Sequence, residues 1–312
     1  MNDAAERVSV VVPSYNHEPF VGAAIRSILR QTRLPDELVV IDDGSRDGSV
    51  SVIERELANA PIPARLIARP NRGLSATLNE GLALTSGAYF AYLASDDLWA
   101  PGRLAAGLAA LEARPEAVMA FGAATIIDEH DRVLSTWGRN YHVADLSVDD
   151  LLRFRSIPLA ATVTFRRVAI EGIGWNEDSA MEDYELYLRL AARGPFAYVD
   201  KPEASWRMHE TNVSKDLPRM LREAVATQGR VADDLGIDAD ALAMYRQRVR
   251  FAYGGFFLQA HHWEPGARLT FANLRGAPSW KALLRRLVHV MTPPRLLKAR
   301  QAIRERARGA RR

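Results

Sequence analysis

Acidic residues in this chain come in pairs, and the pairs sit where strands and helices should begin or end. Asp42-Asp43 closes the strand-like run Glu37–Ile41, Ser95-Asp96-Asp97 follows Ala88–Leu93, and Glu182-Asp183 opens a helical pattern. Adjacent carboxylates repel one another unless a cation sits among them. Hard divalent ions, which prefer oxygen ligands, are the natural counter-charge. Polar groups collect at two more strand ends: Pro13-Ser14-Tyr15-Asn16 after Val8–Val12, and Asn71-Arg72-Gly73 after Arg65–Ala68. The competing explanation is turn chemistry, because Asp, Asn and Gly are ordinary loop residues. It accounts for any one of these loops, but less well for paired aspartates at two separate strand ends.

The elements that would position these residues alternate. Val8–Val12 is a short apolar, β-branched run, as expected of a strand covered on both faces. Helical periodicity follows over Phe20–Gln31, then strand Glu37–Ile41, helix Ser49–Leu57 capped by Ser45 or Asp47, strand Arg65–Ala68, helix Leu74–Leu84 and strand Ala88–Leu93. Strand starts 29, 28 and 23 residues apart are the rhythm of right-handed βαβ units. Ligands bind such sheets beyond the carboxyl ends of the strands, where the polar loops lie. After residue 100 the rhythm breaks. A helix is expected from Pro101 to Arg114, strands at Val118–Ile127, Val133–Trp137, Thr162–Phe165 and Ala204–Met208, and a helix at Tyr184–Ala192. Beyond Leu217 the pattern is helical, with breaks expected near Gly236, Gly254–Gly255, Pro265, Pro278 and Pro293–Pro294.

Composition narrows the class. The 312 residues are 48% hydrophobic and include no cysteine, which excludes disulfides and thiolate metal sites and fits a reducing cytoplasm. No apolar run approaches the ~20 residues that span a bilayer. Met1–Glu6 is polar, so no secretory leader is expected. No Gly-x-Gly-x-x-Gly follows the first strand and no Gly-x4-Gly-Lys-Ser/Thr occurs, which speaks against a dinucleotide-dependent dehydrogenase and a phosphate-loop enzyme. Lys281–Arg312 holds 11 basic residues and one acidic, a net of +10 against +3 for the whole chain. The body is therefore net acidic, unlike a nucleic-acid-binding domain.

VSVVVPSYNH, VIDDGSRDGS, Asn71-x-Gly73…Asn79, YLASDDLW, MEDYELYLR and WRMHETNVS occur in that order. As a set they resemble family 2 glycosyltransferases of the GT-A fold, over roughly residues 8–216. The resemblance implies an α/β domain over 1–216, with a Rossmann-like, mostly parallel mixed sheet flanked by helices, and a helical C-terminal region over 217–312. It implies inverting, single-displacement transfer of a sugar from a nucleotide diphosphate, UDP or dTDP favoured, to a glycan or lipid-linked acceptor in bacterial-type cell-surface polysaccharide or glycolipid synthesis. Mg²⁺ or Mn²⁺ would neutralise the diphosphate. Asp97 and His209 match metal ligands, and Asp96 matches a donor-sugar or ribose contact. Pro13, Tyr15 and Asp43 match nucleobase contacts, Asn71 and Asn79 donor contacts, and Arg207, with Ser214, a phosphate contact. Asp183 matches the general base that deprotonates the acceptor hydroxyl.

Each role has a plainer alternative. Asp96 could cap the helix near Pro101, Tyr15 and Trp175 could be packing aromatics, and His209 a structural histidine. Glu182 and Asp183 could simply favour a helix N-terminus. The family pattern is also incomplete: a position that often carries a further aspartate is Ala94, and an arginine position is Leu78. A catalytically idle nucleotide- or glycan-binding scaffold is the alternative function. In the tail, Leu283, Leu284, Leu287, Val288 and Met291 mark one helical face beside Arg285 and Arg286. Segment 281–312 is expected either to contact an anionic membrane at its cytoplasmic face or to pack on the enzyme.

Overall fold

Val8–Ser14 (β1) is buried at every position, as a continuous apolar run must be when helices cover both faces of a sheet. It pairs in parallel with Glu37–Asp42 (β2) on one side and Tyr89–Tyr92 (β4) on the other. Ala64–Ala68 (β3) continues the parallel run beyond β2. The crossovers are Glu18–Leu29 (α1), Ser49–Leu57 (α2) and Leu74–Ala83 (α3). The computed structural model describes residues 7–138 and 146–292. The chain steps from β1 outward to β3 and then returns to lay β4 on the opposite side of β1. Between β1 and β4 the winding direction therefore reverses, and the loops leaving these two strands diverge to open a crevice.

Past β4 the sheet becomes mixed. Leu98–Trp99 (β5) and Arg103–Ala113 (α4) lead to Met119–Asp128 (β6), which pairs with Val133–Trp137 (β7). Val148–Leu152 (α5), Thr164–Arg166 (β8), Arg167–Ile170 (α6), Glu182–Ala191 (α7) and Phe196–Met208 (β9) follow. β8 runs antiparallel to both β4 and β6, and β9 runs parallel to β6. β9 is far longer than the expected Ala204–Met208, because Pro202 hides its first half from a strand reading. The ladder survives there through register shifts around Ala123, the partner of Pro202, where a residue without an N–H can be fitted.

Met1–Leu151 with Arg155–Val213 form one compact unit, and Leu152–Phe154 with Ser214–Arg312 the other. The second is helical: Leu217–Ala232 (α8), Ala239–Gln259 (α9), Trp263–Ala272 (α10) and Trp280–Met291 (α11). The break expected near Pro265 is present, with α9 ending at Gln259 and α10 starting at Trp263, but the one expected at Gly254–Gly255 is absent. α9 runs straight through Gly254–Gly255, where a side chain at 254 would meet Thr270 Oγ1 and the Gly266 carbonyl of α10. These glycines serve close helix packing rather than helix termination. Pro265 lies in the first turn of α10, where the N–H it lacks has no helical acceptor. Pro293–Pro294 and the basic stretch after them lie outside the described residues.

Candidate active site

The crevice between β1 and β4 is spanned by side chains from both strand ends. Asn16 adopts a left-handed conformation (φ 53°) and turns the chain after β1. Its Oδ1 accepts from Arg46 N–H (2.8 Å), which braces the turn against the loop after β2. His17 follows at the start of α1, with Nδ1 2.8 Å from Ser95 Oγ in the loop after β4. Asp96 Oδ2 lies 2.8 Å from His209 Nε2, supplied by the segment just after β9. The His209 ring stacks on Phe20 (5.3 Å) and meets the His17 ring edge-on (5.6 Å). Its Nδ1 lies 2.8 Å from Thr211 Oγ1, so both ring nitrogens are engaged and the ring is fixed. One donor atom each from His17, Asp96 and His209 lie within 4.8 Å of one another. This grouping of nitrogen and carboxylate donors fits a divalent ion. Burial opposes ionisation of Asp96, but the hydrogen bond with His209 and the electrostatic pull of His17 outweigh it and hold its carboxyl below the usual range. Burial also keeps His17 below its ordinary value, against the pull of Asp96.

Asp97 lies outside this group. Its Oδ1 accepts the N–H of Arg207 (2.8 Å), and burial, aided by the neighbouring charge of Asp96, raises its carboxyl well above the usual range. Arg207 is 2% exposed and fully employed inside the fold. Its guanidinium donates to the carbonyls of Asp96 (2.7 Å) and Asp128 (3.1 Å), pairs with Asp131 (2.7 Å) and covers the Phe20 ring. Asp97 and Arg207 thus fasten β9 to the loop that presents Asp96.

The expected nucleobase residues occupy the neighbouring strand ends. Pro13 is buried in β1 opposite Ile41, and Tyr15 is 44% exposed on the loop beyond. Asp43 is buried and accepts from the N–H groups of Arg72 and Gly73 (2.8 Å each) and from the Arg69 guanidinium. Asn71 donates to the Asp43 carbonyl (2.8 Å). The two side chains knit the loops after β2 and β3 into one wall, with Gly73 at φ 90° making the turn into α3. Asn79 works elsewhere: its amide exchanges two 2.8 Å bonds with the backbone of Trp175 and so ties α3 to the 175–177 segment. Trp175 is a core residue, its ring packed 5.7–6.0 Å from Phe90, Tyr92 and Phe165. Leu78 is fully buried, on the apolar side of α3.

Glu182 and Asp183 begin α7, and they influence Tyr92 of β4 and Tyr187 of α7 electrostatically. Both tyrosine hydroxyls are buried, and each acts on the other. Burial pushes Asp183 up to about 6, with the N–H of Tyr184 opposing. Burial together with the charge of Asp183 pushes Glu182 up to about 8. Burial thus holds the pair short of full ionisation near neutral pH. Tyr92, on which the pair acts, lies on β4, the strand that leads to Ser95-Asp96.

The sequence model of glycosyl transferase family 2 matches residues 9–165, about half the chain. The chain belongs to this family. A region of 208 residues is 27% identical to chondroitin synthase of Escherichia coli, covering 66% of this chain and 30% of that protein. An uncharacterised glycosyltransferase of Nostoc is 37% identical over 98 residues, again 30% of its length. The chain thus spans about a third of these relatives. Two solved structures share its fold: S. aureus TarS 1-349 in complex with UDP-GlcNAc (TM-score 0.61, 14% identity, 86% of this chain and 89% of that one), and the mannosyltransferase PcManGT of Pyrobaculum calidifontis with GDP-Man and Mn²⁺ (TM-score 0.59, 19% identity, 91% and 85%). The fold is the GT-A type, a mostly parallel sheet flanked by helices with further helices at the C-terminus. His17 is the site residue the sequence reading missed. The signal was available, since it lies one residue beyond the polar end of β1, and strands 1 and 4 of such a sheet are neighbours.

Proposed function

We propose that this glycosyltransferase moves a sugar from a nucleotide diphosphate donor to an acceptor hydroxyl by a single inverting displacement, with Asp183 as base. The observation that carries the reading is the His17–Asp96–His209 cluster, with Asp96 and His209 buried, alongside a carboxylate at α7 whose pKa is raised to about 6. A divalent ion, when bound, offsets the charge that develops on the departing diphosphate. His17, Asp96 and His209 are the residues that would hold it, and their mixed nitrogen and oxygen donors suit Mn²⁺ better than Mg²⁺, which favours oxygen. Asp97 and Arg207 position this group rather than touch the ion. Asp183 takes the acceptor's proton as its oxygen attacks the anomeric carbon.

Pro13, Tyr15 and the wall built by Asp43 and Asn71 would receive the nucleobase, with UDP or dTDP sugars the favoured donors. A glycan or lipid-linked hydroxyl is the acceptor, in surface polysaccharide or glycolipid synthesis. The second reading is an idle donor-binding scaffold, favoured by Ala94 where the family often carries an aspartate. Mn²⁺-dependent transfer or donor hydrolysis separates the two. The proposal expects turnover that Asp183→Asn lowers by about 10²- to 10⁴-fold while thermal stabilisation by donor and Mn²⁺ persists. Stabilisation without turnover by the unmodified chain, across UDP, dTDP and GDP sugars, would leave the scaffold reading standing instead.

A further inference from the structure

The last described helix, α11, divides its apolar residues between two directions. Val290 is buried and Leu283 and Leu287 are half-buried, so one edge of the helix packs within its own unit. A second set does not. Trp280 is 69% exposed, Leu284 53%, Val288 57% and Met291 77%. At 3.6 residues per turn these four fall within about 80° of arc, a continuous stripe along the whole helix. Exposed Lys281 and Arg285 lie along the flank of the stripe away from the packed edge, with the Lys281 ammonium over the Trp280 ring. No acidic residue occurs anywhere from Trp280 to Pro294, and the sequence from Arg295 to Arg312 adds eight basic residues and one glutamate. Arg286, by contrast, is spent inward: it donates to the Phe251 carbonyl (2.7 Å) and covers that ring.

Four large apolar side chains held in water along one line are costly unless something covers them. The pattern fits one kind of cover. An apolar stripe with an indole at one end and cations along its side matches a lipid headgroup boundary, where rings and alkyl chains enter the acyl edge and cations stay with the phosphates. No helix among the described residues is long and apolar enough to cross a membrane, so contact would be in the plane of the surface.

We propose that the Trp280–Leu284–Val288–Met291 face of α11 docks on an anionic membrane surface. The proposal does not depend on the transferase reading, since docking requires neither donor nor turnover. The test uses the full-length chain and sedimentation with phosphatidylcholine vesicles, with and without phosphatidylglycerol. Binding is expected only when phosphatidylglycerol is present, and is expected to weaken as salt rises. The exposed-face variant Leu284→Gln/Val288→Gln should lower the partition coefficient at least about tenfold, while Lys281→Gln/Arg285→Gln should lower it and flatten its salt dependence. Trp280→Phe should keep binding yet lose the vesicle-induced blue shift of tryptophan emission, which would place that ring at the lipid. Unchanged circular dichroism and melting of each variant would exclude unfolding as the cause. Equal binding by the Leu284→Gln/Val288→Gln variant and the unmodified chain would overturn the proposal, because the basic residues alone would then suffice. So would a concentration-dependent dimer that this variant abolishes with no change in vesicle binding, because the stripe would then cover a second copy.

Discussion

Asp183 and Glu182 stand side by side on the first turn of α7, and their order of ionisation decides which can act as a base. Burial pushes Asp183 up to about 6, and burial together with the charge of Asp183 pushes Glu182 up to about 8. Turnover should therefore rise with pH through about 6, following Asp183, and Glu182→Gln should leave that rise in place. A pH–rate profile that is flat between pH 5 and 8 would exclude Asp183 as the base. Asp183→Asn should lower kcat by about 10² to 10⁴-fold, the span usual for loss of a positioned proton acceptor, with donor affinity little changed. His17 belongs to the cluster with Asp96 and His209, and its assigned contribution is to hold the ion. His17→Gln keeps a polar group near Ser95 but removes the imidazole. Mn²⁺ affinity, read by electron paramagnetic resonance with a nucleotide diphosphate present, should fall about 10- to 100-fold. An unaltered affinity would reduce His17 to a brace for the Ser95 loop. The same experiment on Asp97→Asn separates ligation from positioning: its contact with Arg207 N–H survives in the amide, so Mn²⁺ affinity should fall far less than in Asp96→Asn.

These side chains keep their places because α3, α1 and β9 press tightly on the strands that carry them. On α3, Gly81 faces Val11 of β1 so closely that an added Cβ would lie 2.6 Å from one Val11 methyl and 2.8 Å from the other. Val11 is fully buried and β-branched, with little room to rotate away. Gly81→Ala would gain about 1 kcal/mol of helix propensity but force an overlap that typically costs about 1–3 kcal/mol. The overlap should prevail, and the variant should melt lower; a higher Tm would show that α3 can shift without penalty. Such approaches also explain what was legible in the sequence. Continuous runs such as VSVVV and the spacing between them define the parallel half and its polar rim, because both follow from local periodicity. Pro202 breaks the period inside β9, and Gly254–Gly255 mimic a helix end while serving a helix contact, so those boundaries were misread. The roles of Asp43, Asn79 and Arg207 depend on partners 26 to 111 residues away. Residue type signals a polar task for each, but only the assembled fold shows that all three fasten one loop or strand to another.

Across the whole molecule, carboxyl groups perturbed in opposite directions should give the fold a stability optimum on the acidic side of neutrality. Glu37 and Asp47 are held below their ordinary values by hydrogen bonds that outweigh burial, so their stabilising effect is present above about pH 4 and lost as pH falls further. Glu203 acts in the opposite sense. It is 1% exposed on β9, neither carboxylate oxygen has a hydrogen-bond partner among the described residues, and burial pushes it up to about 7 despite the opposing charge of Arg103. The Arg103 guanidinium is turned instead to Thr164 Oγ1 (2.8 Å), the Val163 carbonyl and the Trp99 ring. The unfolded chain ionises Glu203 near 4.5, whereas the folded chain keeps it protonated until about 7. Between those values the native state binds the extra proton, so stability declines as pH rises, and above about 7 the loss is complete. At about 1.4 kcal/mol per pH unit, the decline attributable to this one group is on the order of 3 kcal/mol. Glu182 and Asp183 contribute in the same direction. Urea unfolding should therefore give a higher midpoint near pH 5 than near pH 8. Glu203→Gln, which cannot ionise, should flatten much of that slope and exceed the unmodified chain in stability at pH 8 while matching it near pH 5. If the substitution instead destabilises the protein equally at both pH values, Glu203 is held by contacts that its unpartnered oxygens do not reveal, and the alkaline loss must come from the α7 pair and Asp97.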